Sequence, residues 1–390
     1  MGERRGMNNT HLKNRNRGLV LQLIACEGTL SRVEIARRVS LTKMAVGNMV
    51  SDLIAEGYVE EDESAESTPA VGRNPTLLHI AAGAPGAIGV YLSRENLSVI
   101  LADTTLRIHS QRSVALKDET DNSLTQKLLT LVSEIRREAE IPVLGVGIST
   151  IGPLDTANKT MLRPLRFFGI SNYPISHILE DCTGLPVYLD NDMNAAALAE
   201  RLYGSGRRLE NFLYLGLADG VGAGIISGGR LYRDHNGFVG EIGHNSICYD
   251  GPLCDCGNRG CLEIYASIPV IQQQLLAAGA PSAEPENFES LTALPACDQV
   301  FRDTADKLAV ALINMANLLD PQGIIIGHEG AFLPAVYLQQ LESTVNDKIL
   351  AAGYQHLTVA PSAFGSSAPL VGSVCCVFQE LFSGRLFGQN

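Results

Sequence analysis

One histidine and three cysteines lie close together near the middle of the chain. His244 precedes Cys254, Cys256 and Cys261 within the stretch HNSICYDGPLCDCGNRGCLE, which covers residues 244–263. One imidazole and three thiolates complete a tetrahedral zinc set. Because a catalytic zinc keeps one position free for water, a set filled by four side chains predicts a structural Zn²⁺ ion.

Polar side chains also gather where a predicted strand ends and a helix begins. The segment LDNDMN, residues 189–194, carries four of them and is followed by three alanines. Ligands of α/β proteins bind at such sheet edges, whereas a helix cap needs only one residue of this kind. The segment therefore favours a binding site, with an ordinary helix cap as the alternative.

The elements that must position these residues are strands alternating with helices. Strands are predicted near residues 88–92, 99–102, 108–116, 142–149, 187–190, 212–217, 222–226, 323–326 and 357–360, and helices near 123–139, 194–203, 268–279, 300–319, 334–349 and 369–382. Such alternation over some 300 residues is typical of an α/β body whose sheets are covered by helices.

Residues 1–80, called the head below, are predicted to form a winged helix-turn-helix domain of the α+β class. A first helix is expected over residues 12–25, a capping box at Ser31 and Glu34 begins a second, and Thr42 caps a third. Strands at residues 58–59 and 77–80 would form the wing. Residues 1–55 hold nine basic and four acidic side chains in a chain of net charge −12, so only the head suits phosphate. The alternative is a helical protein-docking domain.

In a helix-turn-helix, the recognition helix lies in the major groove of DNA. The predicted DNA contacts are Arg32, Lys43, Ala45, Asn48, Ser51 and Arg73. Lys43 suits phosphate or guanine and Asn48 suits adenine, although each could also be a plain solvent-facing side chain. Since one such unit binds DNA weakly, a homodimer or homotetramer on a two-fold operator is expected.

The composition, 45% apolar and 18% charged over 390 residues, is that of a folded soluble protein of two or three domains. No apolar run approaches the ~20 residues of a membrane span, and no secretory signal is evident, so a cytoplasmic protein without a membrane partner is predicted. Reduced thiols follow from that compartment. Six cysteines outside the zinc set are predicted to be packed as small apolar residues: Cys26, Cys182, Cys248, Cys297, Cys375 and Cys376.

Three motifs together resemble the ROK family of repressors and sugar kinases. They are Asn191-Asp192-x-Asn194-Ala-Ala, Gly240-Glu241-Ile-Gly243-His244, and Cys254-x-Cys256-Gly-x-x-Gly-Cys261-x-Glu263, and the likeness extends over essentially the whole chain. The resemblance implies an actin-like, hexokinase-type fold of two α/β lobes over residues 81–390. Lobe one would cover about 81–190 plus the C-terminal helix, and lobe two about 191–368 with the zinc loop at 244–261.

The same resemblance implies a sugar site formed by Asn191, Asp192, Glu241, His244 and Glu263. His244 would use one ring nitrogen for zinc and the other for the sugar, and in family kinases the aspartate at position 192 is the general base. Carboxylates and an amide at fixed points suit sugar hydroxyls, because an analogue lacking one hydroxyl would leave them unpaired.

The nucleotide half departs from the kinases of the family. Their Asp-x-Gly-Gly-Thr phosphate turn reads Tyr91-Leu-Ser-Arg-Glu95 here, their second phosphate turn reads Ala218-Asp-Gly220, and their Gly-Gly pair reads Gly327-His328. Since phosphoryl transfer depends on holding the phosphates and their metal, the sequence predicts no enzyme activity. Asp192 would then be a vestigial base.

The sequence therefore predicts a sugar-responsive transcriptional regulator of carbohydrate genes, a repressor by default, with operator DNA and a sugar effector as partners. One alternative is an ATP-dependent, glucokinase-like sugar kinase with a fused head, and another is a zinc-dependent interaction protein with a vestigial cleft. Arg163 and Arg166 could place a cation near the sugar, or they could be surface arginines beside Phe167 and Phe168.

Overall fold

A computed structural model describes residues 9–62, 76–233 and 238–387 of the chain. These residues divide into two compact units. Unit 1 comprises the described residues up to Ser149, Lys159–Leu189, and those from Ser373 onward; unit 2 comprises Thr150–Asn158 and Asp190–Gly372. Within the described ranges, no helix combines the length and the apolar character needed to cross a membrane.

The head has three helices and a small antiparallel sheet. Its elements are α1 (Asn9–Glu27), β1 (Leu30–Ser31), α2 (Arg32–Arg38), α3 (Lys43–Ala55), β2 (Val59–Asp62) and β3 (Leu77–Ile80). Both predicted helix starts are confirmed: Ser31 and Glu34 form the reciprocal capping box, and Thr42 Oγ1 accepts from the amide of Ala45 at 3.2 Å. The strand order β1-β3-β2 completes the winged arrangement.

Unit 1 also contains a five-stranded sheet. The elements of this part of the chain are β4 (Gly86–Leu92), β5 (Asn96–Asp103), β6 (Ile108–Ala115), α4 (Asp121–Arg137), β7 (Val143–Thr150), β8 (Leu154–Asp155), β9 (Thr160–Met161), α5 (Ile175–Thr183) and β10 (Val187–Asn191). The strand order is β10-β7-β4-β5-β6, in which β4, β5 and β6 form an antiparallel meander.

Unit 2 contains a second five-stranded sheet. The remaining elements are α6 (Asp192–Leu202), β11 (Phe212–Leu217), β12 (Val221–Ser227), β13 (Arg230–Leu231), α7 (Glu263–Ala266), α8 (Ile268–Ala277), α9 (Phe288–Leu291), α10 (Pro295–Leu319), β14 (Gly323–His328), α11 (Ala335–Lys348), β15 (Thr358–Pro361) and α12 (Ala368–Phe382). The part of α12 from Ser373 onward belongs to unit 1. The order is β13-β12-β11-β14-β15, an antiparallel meander continued by two parallel strands.

The prediction for the cysteines outside the zinc set is partly wrong. Cys297, Cys375 and Cys376 are buried, as predicted, whereas Cys182 and Cys248 are exposed. Cys182 lies in the last turn of α5, on its solvent side. Cys248 lies in the loop that carries the predicted zinc ligands, where its thiol donates to Asp250 Oδ1 at 3.2 Å. Cys248 is exposed because it lies in an open loop and has a polar partner, although its side chain is small and apolar.

Candidate functional site

The four predicted zinc ligands converge in unit 2. One ligand atom from each of His244, Cys254, Cys256 and Cys261 lies within 4.8 Å of all the others. The Sγ atoms of Cys256 and Cys261 are 3.7 Å apart, and His244 Nδ1 is 3.8 Å from Cys254 Sγ. Tetrahedral zinc with Zn–S bonds of about 2.3 Å places two sulfurs about 3.8 Å apart. The cluster therefore has the size and the ligand set of a metal site.

Backbone hydrogen bonds shape the loop around the cysteines. The amide of Cys254 donates to the Asn258 carbonyl at 2.8 Å, and the amide of Gly257 donates to the Cys254 carbonyl at 2.9 Å. Gly257 takes a φ of +90° that other residues adopt at a cost. Burial raises the pKa of the Cys261 thiol to about 12, so a thiolate at this position needs a cation beside it.

The N-terminus of α6 brings the polar segment together. Asn191 is the N-cap, and its Oδ1 accepts from the amide of Asn194 at 2.9 Å, so the cap alternative is correct for this residue. That bond leaves the Nδ2 group of Asn191 available as a donor. Asp192 is buried and its Oδ1 accepts from the amide of Met193 at 2.9 Å. The segment can therefore cap the helix and contact a ligand with different atoms.

Asp190 anchors this segment, a role that the motif did not indicate. Its Oδ1 accepts from the amide of Asn191 and from Asn194 Nδ2, both at 2.9 Å. Its other oxygen forms an ion pair with Arg233. A small cavity is lined by Asn191, Asn194 and Arg233, so the open side of the segment faces empty space.

The two predicted glutamates approach the same region from other elements. Gly240, at φ +93°, and Gly243 leave no room for a side chain against the backbone of β12, so the loop carrying Glu241 packs directly on that strand. Glu263, at the start of α7, accepts from the amide of Val221 at 3.1 Å. Surrounding protein raises the pKa of Glu241 by desolvation; nearby His244 lowers it, and the charges of Asp192 and Glu263 raise it further.

Tyr214 and His328 form a buried pair next to Asp192, and neither was among the predicted site residues. Tyr214 Oη lies 3.0 Å from His328 Nδ1 and accepts from the His328 amide at 3.0 Å. His328 Nε2 lies 3.9 Å from Asp192 Oδ2. The sequence marked His328 only as a departure from the kinase glycines, because nothing in its spacing connects β14 with α6.

Three of the six predicted DNA contacts are exposed in the head. Lys43, Asn48 and Ser51 are exposed on α3, and Ala45 on the same helix is half-buried. Arg32 forms an ion pair with Glu61 of β2. Arg73 lies outside the described residues. Arg163 and Arg166, both in unit 1, are exposed. Phe167, which follows Arg166 and precedes Phe168, is buried.

Comparisons with known proteins agree with these two parts of the chain. The ROK family model matches residues 87–380, and a model of winged helix-turn-helix DNA-binding domains matches residues 13–60. The xylose repressor of Caldicellulosiruptor bescii is 29% identical over 395 residues, which cover 96% of this chain and 98% of that protein.

Two solved structures are similar over most of their length. A ROK family transcriptional regulator, described as a homologue of the Escherichia coli Mlc protein, has a TM-score of 0.80 and 25% identity, covering 96% of this chain and 98% of that one. A ROK family glucokinase from Streptomyces griseus, in complex with glucose and AMPPNP, has a TM-score of 0.66 and 26% identity, covering 74% and 98%. These matches confirm the predicted actin-like α/β fold preceded by a winged helix-turn-helix.

Proposed function

The chain belongs to the ROK family, and we propose that it is a sugar-responsive transcriptional repressor that binds operator DNA through its head. The observation that carries this proposal is the presence in one chain of a helix-turn-helix with Lys43 and Asn48 exposed and of the sugar-contact motifs of the family. The similarity to a xylose repressor favours carbohydrate genes as the target and makes D-xylose the first effector to test.

In this proposal the sugar binds to unit 2. Asn191 donates through Nδ2, and Asp192, Glu241 and Glu263 accept from sugar hydroxyls. A structural Zn²⁺ binds to Cys254, Cys256, Cys261 and the Nδ1 atom of His244, since that atom faces Cys254. The Nε2 atom of His244 then remains for the sugar. The metal would hold the loop between Glu241 and Glu263 in one conformation.

We infer that the protein is not a kinase. In the turn between β4 and β5, the amide of Ser93 donates to the Asn96 carbonyl at 2.9 Å, and the amide of Asn96 donates to Ser93 Oγ at 3.0 Å. These amides are therefore engaged inside the hairpin instead of being presented to a phosphate. Arg94 is similarly engaged, through its Nε, with the Leu165 carbonyl at 3.1 Å.

Carboxylates in unit 2 support the same conclusion. Burial raises the pKa of Glu329, nearby His328 lowers it, and the charges of Asp219 and Glu286 raise it further, so the three acids lie near one another. Glu329 follows the Gly327-His328 pair and Asp219 lies in the turn after β11, the two places where family kinases hold a nucleotide. Clustered acids there would repel a polyphosphate.

The head suggests the assembly as well. A single helix-turn-helix contacts one half-site, and two half-sites are needed for tight binding, so we propose that the protein acts as a homodimer or a larger homo-oligomer on cytoplasmic DNA.

Two measurements test the proposed function. Calorimetry with D-xylose, D-glucose and N-acetyl-D-glucosamine should detect binding of at least one sugar. Fluorescence anisotropy with an operator selected from a random DNA library should detect binding that the same sugar weakens. A protein that binds selected DNA but no sugar in a broad panel of hexoses, pentoses and their derivatives would support the interaction-protein alternative.

The similarity to a glucokinase favours one competing function, an ATP-dependent sugar kinase. A coupled assay for ADP release in the presence of each sugar tests it. Turnover that requires the sugar and disappears in Asp192→Asn would replace the repressor proposal, because it would identify Asp192 as a working general base.

A further inference from the structure

His328 has a backbone conformation that a purely structural residue would avoid. Its φ is +53° and its ψ is −143°, a region that favours glycine. Residues held in such conformations cost free energy and are concentrated at binding and active sites. The residue is also only 2% exposed, so the strain cannot be attributed to a loose surface turn.

Two glycines make room for the imidazole and its partner. A Cβ at Gly216 would lie 2.7 Å from His328 Nδ1, and a Cβ at Gly327 would lie 2.0 Å from Tyr214 Oη. Both contacts are closer than a side chain tolerates. The positions of His328 and Tyr214 therefore depend on glycines in β11 and β14, and the pair is a built feature of unit 2.

The hydrogen bonds of Tyr214 favour the tautomer of His328 that carries its proton on Nε2. The His328 amide already donates to Tyr214 Oη, so the phenol proton is free to point at Nδ1, 3.0 Å away. Burial raises the pKa of Tyr214 well above its ordinary value, which keeps that proton in place. Nδ1 then accepts, and Nε2 carries the hydrogen.

With this tautomer, Nε2 of His328 is a buried donor beside Asp192. Among the described residues, Nε2 has no hydrogen-bond partner. Asp192 Oδ2 is 3.9 Å away, which is too long for a hydrogen bond. An unpaired buried donor is unfavourable, so this gap indicates a missing group between the two side chains.

We propose that His328 is a specificity-determining residue of the sugar site, and that one hydroxyl of the effector binds between His328 Nε2 and Asp192 Oδ2. A hydroxyl oxygen about 2.8 Å from both atoms accepts from the imidazole and donates to the carboxylate. An ether can only accept, and a phosphate oxygen would place an anion against Asp192. The site therefore selects a neutral sugar with a free hydroxyl at this position.

This inference rests on the proposed function and adds one consequence for it. The hydroxyl next to Asp192 is the group that a family kinase would phosphorylate. Here one of the two lone pairs of that oxygen would accept from His328, which lowers the nucleophilicity of the hydroxyl towards a phosphoryl group. His328 would then both recognise the sugar and disfavour phosphoryl transfer to it.

The test compares four proteins by calorimetry: the full-length chain, His328→Gly, Asp192→Asn and the control His356→Ala. Glycine suits the backbone conformation at position 328, and His356 is an exposed histidine paired with Glu342. The probes are D-xylose, D-glucose and N-acetyl-D-glucosamine, together with the monodeoxy analogues of each sugar that binds. His328→Gly should weaken binding of the parent sugar about tenfold or more, with no change in His356→Ala.

The deoxy analogues distinguish a direct contact from a general disturbance. At one ring position, and at no other, the deoxy analogue should bind wild-type protein more weakly than the parent sugar does but bind His328→Gly almost as well as the parent sugar does. Asp192→Asn should show the same loss of sensitivity at that position. Wild-type affinity in His328→Gly, or an equal loss for every analogue, would overturn the proposal.

A second variant covers the case in which His328→Gly fails to fold. Tyr214→Phe keeps the imidazole but removes the donor that fixes its proton, and it should weaken the parent sugar while sparing the same deoxy analogue. Unchanged affinity for the parent sugar in this variant would contradict the assigned orientation. If no sugar binds wild-type protein, the proposed function itself fails. If a sugar binds wild-type protein and all variants equally, only the role of His328 fails.

Discussion

In the proposed site, His244 would connect the metal cluster to the sugar through the two nitrogens of one ring. Nδ1 faces Cys254 at 3.8 Å, so a bound metal fixes the plane of the imidazole. The direction of Nε2 is then determined by the metal and not by the rotamer preference of the side chain. If zinc binds Nδ1 and the sugar binds Nε2, the affinity for the sugar would depend on an ion that does not contact the sugar.

The first prediction follows from that connection. Cys256→Ser should lose the zinc, because a hydroxyl is a far weaker zinc ligand than a thiolate, and should weaken effector binding at least tenfold. The affinity of the sugar-free protein for DNA should stay unchanged, since the head forms its own core around Leu21, Ile35 and Leu53. Elemental analysis gives the metal content, and calorimetry and anisotropy give the two affinities.

Cys182→Ser is the matched control, because Cys182 is exposed on α5 and lies outside the zinc loop. It should leave metal content and both affinities at wild-type values. Full sugar affinity in a zinc-free Cys256→Ser protein would contradict the proposed dependence of the site on the metal.

At the residue scale, the sequence predicted contacts that lie within a motif and missed those that depend on the fold. The zinc ligands are close in sequence, so spacing alone indicated them. Asp190 and His328 gain their roles from Arg233 and Tyr214, which are 43 and 114 positions away. The parallel pairing of β11 with β14, in which Leu217 lies opposite His328, brings Tyr214 within reach of His328.

At the element scale, the head is joined to the C-terminal segment of unit 1. A Cβ at Gly18 in α1 would lie 2.2 Å from the carbonyl oxygen of Phe382, so the helix and the end of α12 meet backbone to backbone. Phe387 lies beyond that contact. The Arg17 guanidinium is 4.3 Å from the centre of its ring, and the Tyr58 ring meets it edge-on at 5.8 Å.

The second prediction concerns this aromatic contact. Phe387→Ala should lower the free energy of unfolding of unit 1 by about 3 kcal/mol, because it removes a buried ring and leaves a cavity beside Arg17 and Tyr58. Scanning calorimetry should record a lower transition temperature. Leu350→Ala is the control, since Leu350 is 90% exposed, and its transition should match wild type. An unchanged transition in Phe387→Ala would show that the segment does not stabilise the head.

The recognition helix supports a third prediction, in which two side chains on α3 have different roles. Lys43→Ala should weaken binding to all DNA sequences and reduce the slope of log affinity against log salt by about 0.9, as expected for one lost phosphate contact. Asn48→Ala should leave that slope unchanged and cost about 1–3 kcal/mol for the selected operator only. Anisotropy titrations at several salt concentrations measure both effects.

Lys348→Ala provides the control for charge, because Lys348 is exposed at the end of α11 in unit 2. It removes the same charge from the protein and should leave the salt slope unchanged. If Lys43→Ala and Lys348→Ala behave alike, the effect belongs to net charge, and α3 would not be the DNA-contacting helix.

The element boundaries were largely predictable because their signals are local. The capping box at Ser31, the cap at Thr42 and the apolar runs of β11 and β14 each identify one element from neighbouring residues. The short helix α5 was missed because Pro174, which offers no side-chain cap, stands at its N-cap, and Gly184 at its C-terminus was the one local signal.

At the scale of the whole molecule, the two five-stranded sheets repeat one topology. In each sheet the first three strands in the chain form an antiparallel meander. The fourth strand lies beside the first, and the fifth lies beside the fourth, which gives the orders β6-β5-β4-β7-β10 in unit 1 and β13-β12-β11-β14-β15 in unit 2. The repeat was not visible in the sequence, because it is a repeat of strand order and not of residue identity.

The fourth prediction joins the head to unit 2 by thermodynamic linkage. If the sugar releases the protein from DNA, it must bind the DNA-free form more tightly than the DNA-bound form. The factor by which saturating sugar weakens DNA binding must then equal the factor by which saturating operator weakens sugar binding, and a factor of about 5–150 is typical of such coupling. Anisotropy with and without sugar gives the first factor, and calorimetry with and without operator gives the second.

A sugar that does not bind in calorimetry serves as the control and should change neither affinity. Two equal factors above one would establish repression relieved by the sugar. Equal factors below one would mean that the sugar strengthens DNA binding, so the protein would repress or activate in its sugar-bound form. If both factors equal one while the sugar still binds, the coupling free energy between the two sites is zero. The sugar would then have to act through a step other than operator affinity, such as the association of protomers on the DNA.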